Sequence, residues 1–119
     1  MRMWMVNPKC MCRKHLLGES GELHKFMHNW KKKHSISGRI KTNAMEPLSY
    51  KKRHDKLAKE MIRRGYNHKS PLQQPDFSYL PKEEREYKID LKENERELKH
   101  RCPECRELFL QNNLKECGF

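Results

Sequence analysis

Apolar residues recur at helical spacing along most of this chain, and no segment shows the alternation of a strand. The first helix is expected over Lys9 to Lys32, where Leu16, Ser20, Leu23, Met27 and Trp30 form one stripe and the basic run Lys31 to Lys33 suits the negative end of the helix dipole. A second is expected over Pro47 to Arg64. Tyr50, His54, Leu57 and Met61, with Ala58 and Ile62, mark its buried side, and Lys51, Lys52, Lys56, Lys59 and Arg63 its exposed side. Pro47 suits a first helical position and Gly65 closes the end. Charged helix resumes near Lys82 and covers Asp90 to Arg101, with Asp90 as N-cap and Glu93 as its capping-box partner. A short last helix starts at Pro103 and ends near Gln111; Leu98, Cys102, Cys105 and Phe109 form the stripe of this region.

Three connections remain. Met1 to Pro8 reads as extended, His34 to Met45 as a cationic loop, and Tyr66 to Pro81, with Pro71, Pro75 and Pro81, as an ordered crossing over the surface. No internal repeat is present. The pattern predicts an all-α fold: a single compact domain, 1–119, of three to four helices with long basic loops.

Composition narrows the class. With 34% hydrophobic residues over 119 positions and a mean hydropathy of −1.18, only a modest core is available. The net charge of +11 is concentrated: residues 1–64 hold 17 Lys and Arg against 5 Asp and Glu, and residues 65–119 hold 10 against 11. Such a cationic half is the footprint of a polyanion binder, with nucleic acid the leading partner, an acidic membrane surface second, and a solvated basic face the plainest reading. No apolar run approaches the ~18 residues of a membrane span. Five cysteines without a secretory signal point to reduced thiols or metal ligands in an intracellular, cytoplasmic protein.

On the first predicted helix, His15, Glu22 and Lys25 fall nearly on one line and Glu19 flanks it. A solvated polar face explains this pattern as simply as a site does. The cysteines also read two ways. Cys102 and Cys105 have the CxxC spacing of zinc ligands, and Cys10 and Cys12 can supply two more thiolates to a site joining the termini; packed thiols are the simpler reading, and redox use is a third. Cys117 stands near the end of the chain.

Met1, Arg2 and the run HLLGESGEL from His15 to Leu23, followed by Lys25, and the stretch Arg53 to Asn67 with its ending RRGYN, resemble the phage-type (endonuclease V type) pyrimidine-dimer DNA glycosylases with AP lyase activity, a small all-α family. The similarity covers about a third of the chain, and the spacing from the terminal amine to Arg2, His15 and Glu22 matches without a gap. The resemblance implies a DNA repair enzyme acting on cyclobutane pyrimidine dimers. The Met1 α-amine would attack deoxyribose C1′ to give an imine, and Glu22 would stabilise the developing charge and assist β-elimination. It also implies that Arg2 and Lys25 hold phosphates near the lesion and that His15 lies beside the same site.

Arg39, Lys41, Lys51 and Lys52 are further expected phosphate contacts. The implied partner is damaged double-stranded DNA, bound by a monomer, with no cofactor required. Two features depart from the family: Gly21 stands where an arginine phosphate contact is expected, and the aromatic C-terminal tail is missing. Arg2 is too bulky a neighbour for removal of Met1, and the register of the resemblance puts Met1 itself at the nucleophilic position. A reading from another class is a non-catalytic DNA-binding protein stapled by zinc through Cys102 and Cys105.

Overall fold

The computed structural model describes residues 2–29, 37–67, 72 and 74–111, and every regular element among them is helical. Met1, Trp30, the basic run 31–33, His34, Pro71 and Cys117 lie outside the described residues. Four longer helices are α1 (Arg13–Asn29), α3 (Tyr50–Arg63), α5 (Leu91–Arg101) and α6 (Pro103–Gln111), and two short ones are α2 (Ser37–Lys41) and α4 (Lys82–Arg85). The all-α expectation therefore holds. Among the described residues, no helix is long and apolar enough to cross a membrane.

Element boundaries follow local chemistry. Helix α1 begins at Arg13 rather than Lys9 because Pro8–Cys10 forms a separate 3₁₀ turn. Asn7 caps that turn by accepting from the Lys9 amide, and Met11 then turns extended. The segment expected as the loop His34 to Met45 contains α2, closed by the Thr42 amide donating to Gly38 O and the Ala44 amide donating to Arg39 O. Helix α3 ends in a Schellman motif: the Gly65 amide donates to Ile62 O, the Tyr66 amide to Met61 O, and Gly65 takes φ 86°, a conformation costly for any residue with a Cβ. Asp90 caps α5 by accepting from the Glu93 amide at 3.3 Å. The reciprocal half of the expected capping box is supplied from elsewhere, since the Asp90 amide donates to Asn43 Oδ1 at 2.8 Å.

Helix α1 packs on α3, α5 packs on α6, and the Pro8–Cys10 turn lies against both α3 and α6. The core joins Leu16 and Leu23 of α1, Tyr50, Leu57 and Met61 of α3, Leu98 and Phe109 of the last two helices, and Leu72, Phe77 and Leu80 of the proline-rich crossing. Met3, Trp4 and Val6 belong to the same core. The expected buried side of α3 is also corrected. Ile62 is 61% exposed, because the inward face of α3 is centred on Tyr50, Arg53, His54, Leu57, Glu60 and Met61 and takes in charged residues at helical spacing.

Glu60 accepts from Arg63 Nε and Nη2 at 2.7 and 2.6 Å and from Arg64 Nε at 2.7 Å. Arg64 Nη2 then donates to Pro8 O and Met11 O, fastening the 3₁₀ turn to α3. Burial pushes the Glu60 carboxyl up, but the two guanidinium groups outweigh it and hold the group below the usual carboxylate range. A depressed carboxylate stabilises the fold above its unfolded value of about 4.3 and loses that contribution as pH falls through the folded value. Glu60→Gln should cost about 1–3 kcal/mol at neutral pH. Urea unfolding near pH 7 and again near pH 3 should show the gap to wild type closing in acid; a gap independent of pH would remove the charge from this account.

Candidate active site and the adjoining thiol cluster

Residues 2–6 are fixed from three directions. The Met3 amide donates to Ala44 O at 2.7 Å, the loop beyond α2. Asn94, fully buried on α5, donates through Nδ2 to Met3 O and Trp4 O at 3.2 and 3.1 Å and accepts from Arg2 Nη1 at 2.7 Å. From the other side the Trp4 amide donates to Glu19 Oε1, and Arg53 Nη1 donates to Val6 O at 2.6 Å. Glu19 and Arg53 form a two-point ion pair at 2.6 and 2.9 Å, with side chains 0% and 2% exposed. A buried ion pair and a buried asparagine thus hold the segment. Within it Met5 takes φ 63°, a strained backbone for a non-glycine residue.

The expected site residues separate into two groups. Glu22 is half-buried on α1 and, among the described residues, neither pairs with a cation nor accepts a hydrogen bond, whereas Glu19 one turn earlier is committed to Arg53. Lys25 is exposed on the same helix. Arg2 lies with its guanidinium 5.0 Å from the Trp4 ring centre, so Asn94 and Trp4 together orient it. His15 lies about 10 Å along the helix axis from Glu22, and its neighbours are sulfur atoms.

His15 Nδ1 lies 3.2 Å from Cys12 Sγ and 3.7 Å from Cys105 Sγ, and Cys12 Sγ lies 3.7 Å from Cys102 Sγ. The four ligand atoms fall within 4.8 Å of one another, and this group can hold a metal ion. Cys10 takes no part in this group, and His15 occupies the place expected for it. The expected core stripe Leu98, Cys102, Cys105 and Phe109 is buried, so these cysteines are both packed and clustered. Burial, then Lys14, holds the His15 imidazole below its ordinary value, favouring the neutral ring. Burial raises the Cys102 thiol, but the Cys105 amide and neighbouring thiols reverse the shift to a net lowering; burial and the same crowding push Cys105 up.

The exposed face of α3 carries Lys51, Lys52, Lys56, Lys59 and Arg63 as expected. Lys51 is paired with Asp55 at 2.7 Å. Lys56, Lys59 and Arg63 line a groove of about 500 Å³ whose other wall is Met5, Val6 and Lys9. The basic surface thus reaches the anchored N-terminal segment. On α2, Lys41 is exposed and Arg39 is half-buried over Phe26, 5.5 Å from its ring centre.

Sequence reasoning missed Glu19, Arg53 and Asn94 as the residues that set the site. A signal was present for Arg53, which falls in the helical register of Tyr50 and Leu57, where a charge must find a buried partner. No curated protein and no solved structure matches this chain. A family model described as pyrimidine dimer DNA glycosylase matches residues 1–74, more than half of the sequence, and the chain belongs to that family.

Proposed function

We propose that this protein is a DNA repair glycosylase with coupled AP lyase activity on cyclobutane pyrimidine dimers, with the Met1 α-amine as nucleophile and Glu22 as the acid–base group. Family membership supports the dimer-glycosylase activity in general. The observation that carries the finer reading is the anchorage of residues 2–6, in which the Trp4 amide donates to Glu19 of α1, the helix that also carries Glu22.

The amine attacks C1′ of the damaged nucleotide, the glycosidic bond breaks, and the base leaves with its electron pair. Loss of an amine proton leaves an aminal, whose nitrogen lone pair forms the imine as the C1′–O4′ bond breaks and O4′ takes that bonding pair and a proton. Glu22 stabilises the cationic sugar, then removes a C2′ proton so that the 3′ phosphate departs by β-elimination. Water hydrolyses the imine and frees the amine. Arg2 and Lys25 hold flanking phosphates, and the route itself uses no metal. The enzyme must also unstack the lesion, at roughly a few kcal/mol.

Duplex DNA approaches along the α3 face and the groove beside residues 5–9. Replacing Lys56 and Lys59 together with Ala should weaken binding to undamaged and damaged duplex alike and lower the slope of log K against log salt by about two. Fluorescence anisotropy across a salt series measures it; an unchanged slope would move the DNA to another face. A second reading, a non-catalytic DNA-binding protein, is favoured only by the thiol cluster. Borohydride trapping on dimer-containing, abasic and oxidised duplexes separates the two. A covalent adduct is expected on abasic DNA and on the dimer, and none with verified untagged protein would leave the binding reading.

A further inference from the structure

We propose that Cys12, His15, Cys102 and Cys105 form a structural zinc site that fastens the C-terminal helices to the N-terminal half of the protein. The inference is independent of the glycosylase reading.

Both ligand pairs have one local design. Cys12 immediately precedes α1 and His15 is its third residue; Cys102 immediately precedes α6 and Cys105 is its third residue. In each case the carbonyl of the preceding cysteine accepts from the fourth amide onward, Leu16 and Arg106, so each cysteine is the N-terminal boundary of a helix. A helix start places its boundary side chain and that of the third residue on one side, which is why two unrelated segments present donors at matching i, i+3 positions. The N-terminal ends of α1 and α6 therefore meet over the same point. Two amides already point at sulfur: the Cys12 amide donates to Cys105 Sγ at 3.2 Å and the Cys105 amide to Cys102 Sγ at 3.4 Å. Such bonds orient metal-bound thiolates.

The distances discriminate between zinc and a disulfide. A tetrahedron with Zn–S bonds of about 2.3 Å has S–S edges of about 3.8 Å and slightly shorter S–N edges. Cys12 Sγ to Cys102 Sγ is 3.7 Å, and His15 Nδ1 lies 3.2 and 3.7 Å from Cys12 and Cys105. Three thiols cannot all be satisfied by pairing, whereas one ion takes all four donors. Thiolate with imidazole selects zinc over the oxygen-seeking calcium and magnesium. Four protein ligands leave no open position, which makes the site structural. On binding, the three thiols release their protons and the ion's two positive charges leave the centre with one net negative charge.

The location gives the site its consequence. The family match ends at residue 74, yet Asn94, Cys102 and Cys105 from beyond it hold or adjoin the N-terminal segment. Zinc would join the two parts at the base of α1.

Elemental analysis of the full-length protein, purified without chelator from zinc-supplemented culture, should give one zinc per chain. Replacement by Co²⁺ should produce the thiolate charge-transfer and visible bands of a tetrahedral site. Cys105→Ser should lose the metal, and His15→Cys should retain it. Removing zinc from the wild type with a strong chelator should lower its melting temperature and make Cys12, Cys102 and Cys105 reactive to a thiol reagent. Metal-free wild-type protein, a different stoichiometric metal, or a Cys12–Cys102 disulfide found by mass spectrometry would overturn the proposal. None of these readouts uses DNA, so failure of the glycosylase reading would leave them untouched.

Discussion

Acetylating the Met1 amine, or extending the chain ahead of it, should reduce borohydride trapping on abasic DNA to background while leaving DNA affinity nearly unchanged. Affinity is expected to survive because the change touches one charge on a chain of net charge +11 and phosphate contacts dominate binding. Chemistry should not survive, because an amide nitrogen has no free electron pair with which to form an imine. An α-amine titrates near 7.7–8.0, so roughly a tenth is neutral at pH 7 and trapping should rise with pH until the amine is fully deprotonated. Glu22→Gln supplies the complementary result. Its half-buried carboxylate has no cation partner among the described residues, so removing its charge disturbs no ion pair. Folding and binding should be retained while strand cleavage falls roughly 10²–10⁴-fold, the range of a positioned acid–base group. Undiminished trapping by blocked protein would remove Met1 from the mechanism, and wild-type cleavage by Glu22→Gln would remove Glu22.

The helices were legible because their signals are local. The stripe Tyr50, His54, Leu57 and Met61, the Gly65 terminus, the Asp90 cap and the Pro103 start each depend on residues within a turn or two, and all stand in the structure. The site was only partly legible because its determinants are distant in sequence. Glu19 reads as a solvated glutamate until Arg53, 34 residues later, folds onto it. His15 shares a helical line with Glu22, yet it meets Cys105, 90 residues away. CxxC spacing singles out Cys102 and Cys105, but CxC spacing cannot separate Cys10 from Cys12; the 3₁₀ turn at Pro8–Cys10 does, leaving the helix start to present Cys12 and His15 together. Periodicity finds which face is buried; it does not find what a buried polar residue faces.

Arg53→Met should be the most destabilising single change in the described residues and should impair catalysis at a distance. The guanidinium donates to Glu19 Oε2 and Oε1, to Val6 O, and to Met11 Sδ at 3.3 Å, all within the core. Methionine fills comparable volume but strands the Glu19 carboxylate, and breaking one side of a buried ion pair costs about 3–5 kcal/mol. That is a large share of the ~5–15 kcal/mol by which a domain of this kind is stable. Glu19→Leu should cost a similar amount by orphaning Arg53 and the Trp4 amide. The double variant should be less destabilised than the sum of the singles because no unpaired charge remains, yet it should stay below wild type, since the Trp4 N–H and Val6 C=O lose their partners at about 1–3 kcal/mol each. Urea unfolding of the four proteins gives the coupling energy directly. Arg53→Lys separates anchorage from charge: one ammonium cannot reproduce the two-point pairing with Glu19 and also reach Val6, so partial stability should return while the N-terminal segment stays loosened. Under conditions where this variant remains folded, trapping should fall further than stability. Single variants within about 1 kcal/mol of wild type would show that the ion pair does not hold the segment, and the catalytic role of its anchorage would fall with it.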